Sequence, residues 1–215
     1  MIRKIHPLVL SVLILSVVSM NLLANKELFR TDWIALDCGF ILSWIPFLIM
    51  DAICKAFGGK TAAAVSLLAI GINLAVFGIF KLVSLAPGMW GAYYDTGSVE
   101  VNDALNRTIG GSSWIVLASA MAMSVSSVTN SAINISVSKF LRKDTYATFA
   151  IRSFVSTVIS QFIDNFIFAV TVSVTLFGWS MKQALVCSAT AALFELAMEI
   201  IFSGFGYKLS EKLKQ

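Results

Sequence analysis

Six apolar stretches, each long enough to cross a lipid bilayer as a helix, follow one another along the chain and leave little of it over. A helix needs about 20 predominantly apolar residues to span the hydrocarbon core, fewer where its ends snorkel. Residues 7–24, 33–50, 62–86, 113–138, 147–178 and 183–208 qualify. Composition agrees: 58% of the residues are hydrophobic and 13% charged, against roughly 45–50% and about 25% in soluble domains. Too few charges remain to cover a water-facing surface, whereas lipid tolerates apolar side chains facing outward. The expected fold is an all-α polytopic bundle of about six transmembrane helices, forming one domain over residues 1–215 without an internal repeat.

The basic residues orient this bundle. With the N-terminus inside, the cytoplasmic segments hold Arg3, Lys4, Lys55, Lys60, Lys139, Arg142, Lys143, Lys208, Lys212 and Lys214. The opposite side holds Lys26, Arg30, Arg107 and Lys182, while Lys81 and Arg152 fall within or near spans. Ten against four is the asymmetry of the positive-inside rule, so both termini are expected in the cytoplasm. The first span is not read as a cleaved signal, because five further spans follow and no A-x-A site ends it. The second span contains Asp37 and Pro46 and is expected to be kinked or broken. The longest connection, 87–112, is glycine-rich and acidic through Asp95, Glu100 and Asp103; it reads as an exposed loop, a short interfacial helix or a lid.

Ionisable groups inside a bilayer cost at least ~2.5–3.5 kcal/mol each, so their presence needs a reason. In the fifth span Arg152, Ser156, Ser160 and Asp164 recur every four residues, with Gln161 and Asn165 beside them. At 3.6 residues per turn they form one polar stripe. The sixth span places Glu195 and Glu199 one turn apart, and the fourth adds Ser119, Met123, Ser127, Asn130 and Asn134. Such faces either glue helices together through hydrogen bonds or enclose a cavity. Carboxylates accept hydrogen bonds, amides donate and accept, and phenylalanines offer stacking faces; together they suit a flat heterocycle with an amidine-like edge. A buried carboxylate can also carry a proton and couple it to transport. The candidate substrate-binding residues are Asp164, Gln161, Asn165, Glu195, Glu199, Arg152, Asn130 and Asn134.

Other chemistries find little support. Cys38, Cys54 and Cys187 form no CxxC pair and read as small core residues, with no metal site and no cofactor expected. His6 stands before the first span, outside the reach of an intramembrane serine base. Phe162-Ile163-Asp164-Asn165 lacks the GxGD pattern of intramembrane aspartyl proteases, and Gly58-Gly59-Lys60-Thr61 lacks the first glycine of a P-loop. The chain is therefore not expected to be an enzyme or to power itself with ATP.

The stretch 152–168, of the form R-S-x-x-S-x-x-x-S-Q-x-x-D-x-x-x-F, resembles the fifth helix of the vitamin-uptake (VUT) family, the queuosine precursor transporters. Asn21-Leu-Leu-Ala-Asn25-Lys26 and Pro46-Phe-Leu-Ile-Met-Asp51 with Phe57-Gly58 agree with it. The resemblance implies import of 7-deazaguanines such as preQ0 and preQ1 for transfer-RNA modification, in the plasma membrane of a bacterial cell. It implies a purine-like base and the lipid bilayer as partners and no nucleic acid; pairing of two copies stays open. In that family an acid stands near the position of Lys55 and a lysine near that of Glu195, and both signs are reversed here. Two alternatives stay open: a binding subunit that docks on a separate ATPase, and a membrane assembly protein without a ligand.

Overall fold

The computed structural model describes residues 5–91, 98–111, 113–141 and 145–214. Arg3, Lys4, Asp95, Arg142 and Lys143, which enter the orientation and loop readings above, lie outside them. Helix α1 (Pro7–Leu23) is followed by an antiparallel hairpin, β1 (Glu27–Arg30) and β2 (Ala35–Asp37), then by α2 (Phe40–Phe57) and α3 (Gly59–Ser84). The connection that follows α3 contains α4 (Val99–Leu105) and a π-type turn, Asn106–Gly110. Then come α5 (Ser113–Phe140), α6 (Tyr146–Phe168) continued by a π-type segment and the short α7 (Thr175–Phe177), and the long α8 (Met181–Lys214). The fold is all-α, and among the described residues five segments are long and apolar enough to cross a membrane. α1, with 17 residues, is shorter and stands at the lower limit for a span.

Two elements differ from the sequence reading. The second span starts at Phe40, not at residue 33, and runs unbroken through Pro46 to Phe57. The break lies ahead of it, where 27–37 fold as a hairpin with Glu27 opposite Asp37 and Arg30 opposite Ala35. Asp37 therefore sits on a strand at the mouth of the bundle and not within a transmembrane helix. The helix ends at Gly58, whose φ of 83° is left-handed and lets α3 begin after a single residue. The fifth span is also no single helix, because its last turns widen into the π-type segment Ala169–Val174. Wide turns of this kind often accompany functional sites.

α6 is the centre of the bundle, packed between α5 and α8; α2 closes against α8, and α3 packs on α5 and α2. The main apolar core joins Leu13 and Val17 of α1 to Ile49, Met50 and Ile53 of α2 and Val65 and Ala69 of α3. Lipid-facing sides carry the large exposed side chains, among them Leu67, Leu82, Val128 and Ile201, as a bilayer solvent permits.

The hairpin is tied across the bundle to the turn between α7 and α8. Arg30 donates from Nη1 to Phe177 O and from Nη2 to Gly178 O, both at 3.1 Å. Trp179 Nε1 donates to Glu27 Oε1 at 2.8 Å, and Gln183 Nε2 to Thr31 O at 2.8 Å. Beneath them Ala35, Leu36, Trp179 and Cys187 form a small apolar cluster. Gly39 fits this junction because a Cβ there would stand 2.5 Å from Met20 O, so the hairpin exit can lie directly on α1.

Candidate functional site

Four helices bring polar side chains together at the hairpin end of the bundle. α1 contributes Asn21, the start of α2 Phe40 and Ser43, α5 Ser119, and α6 Asp164, Asn165 and Phe168, with Asp37 of β2 at the mouth. They line a cleft with about 390 Å³ of empty space, part of it open to solvent. Asp164 is half-buried, and its Oδ1 accepts from Ser126 Oγ at 2.6 Å. Asn165 Nδ2 donates to Gln161 O at 2.9 Å and to Glu195 Oε2 at 3.1 Å. Glu195 is fully buried and also accepts from Ser43 Oγ. It stands behind Ser43 and Asn165 and is not among the lining residues. Gln161 takes a similar supporting place: its Nε2 faces Ser43 O at 3.5 Å, and its buried Oε1 has no hydrogen-bond partner among the described residues.

A second polar centre lies deeper along the same helices. Asp51 of α2 is wholly buried; Asn130 Nδ2 donates to its Oδ1 at 2.7 Å, and Ser153 Oγ stands 2.5 Å from its Oδ2. The same Ser153 hydroxyl contacts Glu199 of α8. Ser160 Oγ reaches Asn130 Oδ1 at 3.3 Å, and Arg152 is near enough for its charge to act on Asp51. The candidate residues thus divide. Asp164 and Asn165 line the cavity, Gln161 and Glu195 support it, and Arg152, Asn130 and Glu199 gather around Asp51. Asn134 joins neither group; it is buried one turn beyond Asn130, with Nδ2 unpaired among the described residues.

Asp51 and Ser43 were missing from the sequence-derived set. Ending the second span at residue 50 set Asp51 at an interface, although Ala52-Ile53-Cys54 continues the apolar run and Gly58-Gly59 is the stronger stop. With the helix drawn to residue 57, Ser43, Phe47 and Asp51 recur every four residues on one face. The two positions with reversed charge are not brought together. Lys55 lies 3.4 Å from Glu211 and 3.8 Å from the Tyr207 ring centre, and Glu211 is 16 residues, about 24 Å of helix, beyond Glu195.

The sequence matches the family described as "Putative vitamin uptake transporter" over residues 37–210. The chain belongs to this family. No match was found among curated proteins or among solved structures. Membership agrees with the apolar helices in making it a multi-pass membrane protein of a transporter family. In this vitamin uptake transporter chain the matched region begins at Asp37 and takes in both polar centres, while Asn21 of the cavity precedes it.

Asp37 gives the cavity mouth a pH dependence. Burial pushes its carboxyl up from 3.8 to about 6, against the backbone N–H groups of Gly39 and Phe40, which favour the charged form. An acid whose pKa is higher in the folded state contributes stability that is full below the unfolded value and is lost as pH rises through the folded one. Between the ordinary 3.8 and about 6, the wild type should therefore lose thermal stability relative to Asp37→Asn, with a constant difference above that window. Melting curves of both proteins across this range measure it, and parallel curves would refute it.

Proposed function

We propose that the protein imports a small, flat nitrogen heterocycle across the plasma membrane, and that the substrate is a queuosine precursor of the 7-deazaguanine class. The supporting observation is the cavity lining: the carboxyls of Asp164 and Asp37, the amides of Asn21 and Asn165 and the rings of Phe40 and Phe168 face one space. Carboxylate oxygens accept paired N–H groups, amides fix the in-plane orientation of a base, and phenylalanine rings favour a flat ligand over a branched one. The fifth-helix resemblance narrows this class to the deazaguanines. In the orientation with both termini cytoplasmic, the hairpin end and its cavity face outward, as a loading site for import requires.

Thermal unfolding of the detergent-purified protein with preQ0, preQ1, queuine or guanine tests the reading. A ligand at ~100 times its Kd stabilises the folded state by ~2.7 kcal/mol, enough to raise the melting temperature measurably. Stabilisation by a deazaguanine but not by guanine supports the substrate; a folded protein unmoved by all four bases refutes it.

A further inference from the structure

The centre around Asp51 has a hydrogen count that its contacts do not meet. Ser153 Oγ lies within hydrogen-bond distance of both Asp51 Oδ2 and Glu199 Oε1. A serine hydroxyl has one hydrogen to donate, so two ionised carboxylates cannot each accept a full hydrogen bond from it. The second contact becomes a full hydrogen bond only when a carboxyl carries a proton and donates to the serine oxygen. Glu199 Oε2 adds an independent sign: the residue is 1% exposed, and this oxygen has no hydrogen-bond partner among the described residues. An ionised oxygen without a donor is among the most unfavourable groups to bury in a membrane, whereas a protonated one is tolerated.

We propose that Asp51 and Glu199 form a proton-binding pair that shares one proton through Ser153, and that this proton is coupled to movement of the substrate. The coupling clause rests on the transport reading above; the pair itself does not. Among the described residues no other titratable group nearby does this task. α1 has no titratable side chain, α5 only Lys139 in its last turn, and α3 only Lys60 and Lys81 toward its ends. On α2 itself, Lys55 is engaged with Glu211, and the Cys54 thiol is buried. On α6 and α8, Asp164 and Glu195 belong to the cavity layer. The two layers are built on the same three helices: α2 supplies Ser43 and Asp51, α6 supplies Asn165 and Ser153, and α8 supplies Glu195 and Glu199. Glu195 and Glu199 are one turn, about 6 Å, apart. A shift of α8 against α2 that opens or closes the cavity therefore also separates the carboxyl pair, which links proton release to the transport step without contact between proton and substrate.

Infrared spectroscopy of the full chain in lipid vesicles, titrated across neutral pH in choline chloride, tests the pair directly. The wild type should keep a protonated-carboxyl carbonyl band at neutral pH. That band should lose intensity in Glu199→Gln and in Asp51→Asn and keep it in Asp164→Asn. No such band in the wild type, which requires no variant to fold, or a band undiminished from wild type in both pair variants, overturns the proposal. Loss of the band when sodium replaces choline at fixed pH would make the pair a sodium site and overturn it too. In vesicles with a pH dye inside, preQ1 added outside should acidify the lumen with wild type and not with Glu199→Gln; preQ1 uptake without acidification refutes coupling. If preQ1 does not enter with wild type, the substrate reading fails, and the infrared result still decides the pair.

Discussion

Asp164→Asn should weaken binding of a deazaguanine roughly 10–100-fold while leaving the protein folded. The carboxylate lines the cavity and spends one oxygen on Ser126 at 2.6 Å, which leaves Oδ2 for a ligand. Hydrogen bonds to a charged group contribute about 1.5–3 kcal/mol, and each 1.4 kcal/mol is tenfold in affinity. Asparagine keeps an acceptor for Ser126 but turns an N–H₂ donor toward the ligand's own N–H edge, so attraction is replaced by a donor facing a donor. The fold should tolerate the exchange because Asp164 is half-buried at an open site and water can reach the new amide. Glu195→Gln supplies the contrast. Glu195 stands behind Ser43 and Asn165, so its neutralisation should change affinity only a few-fold. Calorimetric titration of the two variants beside wild type measures both effects. A larger loss in Glu195→Gln than in Asp164→Asn would move the ligand to the other carboxylate.

How far the chain could be read in advance depended on which physical signal each element carries. Hydropathy locates spans because lipid demands long apolar runs, and five of the six expected spans coincide with observed helices to within a few residues. The second span did not, because Trp33-Ile34-Ala35-Leu36 is as apolar as the helix that follows. Those residues are apolar for another reason: Ala35 and Leu36 bury against Trp179 and Cys187 under the hairpin. A hydropathy window cannot distinguish burial against protein from burial against lipid. The polar stripe of α6 was legible because a 3.6-residue period is visible within one helix. Its division into a cavity layer and a deeper layer was not, because that division depends on which residue of α2 stands opposite. Ser43 selects Glu195 and Asp51 selects Glu199 by way of Ser153, and register between helices distant in sequence leaves no periodic trace. Asn134 shows the converse: it has the right spacing on α5 and yet meets neither layer.

The deeper layer should also be the more fragile. Asp51→Ala is expected to destabilise the protein by roughly 3–5 kcal/mol, the range for removing one member of a buried charged network. Three groups lose an acceptor at once: Asn130 Nδ2, Ser153 Oγ, which keeps only its contact with Glu199, and, more weakly at 3.5 Å, Thr157 Oγ1. No water path replaces it, since Asp51, Asn130, Ser153 and Thr157 are each no more than 4% exposed. Arg152 would lose a compensating charge as well. Asp51→Asn should cost only about 1 kcal/mol, the usual net value of one hydrogen bond, because the amide still accepts from Asn130 and fills the same volume. The ordering wild type, Asp51→Asn, Asp51→Ala in melting temperature, measured in detergent without ligand, separates this account from one based on volume alone. If cavity formation set the outcome, Asp51→Val would recover most of the loss. If the orphaned donors set it, Asp51→Val would remain as unstable as Asp51→Ala, and the polar network would be what holds α2 against α6 and α8.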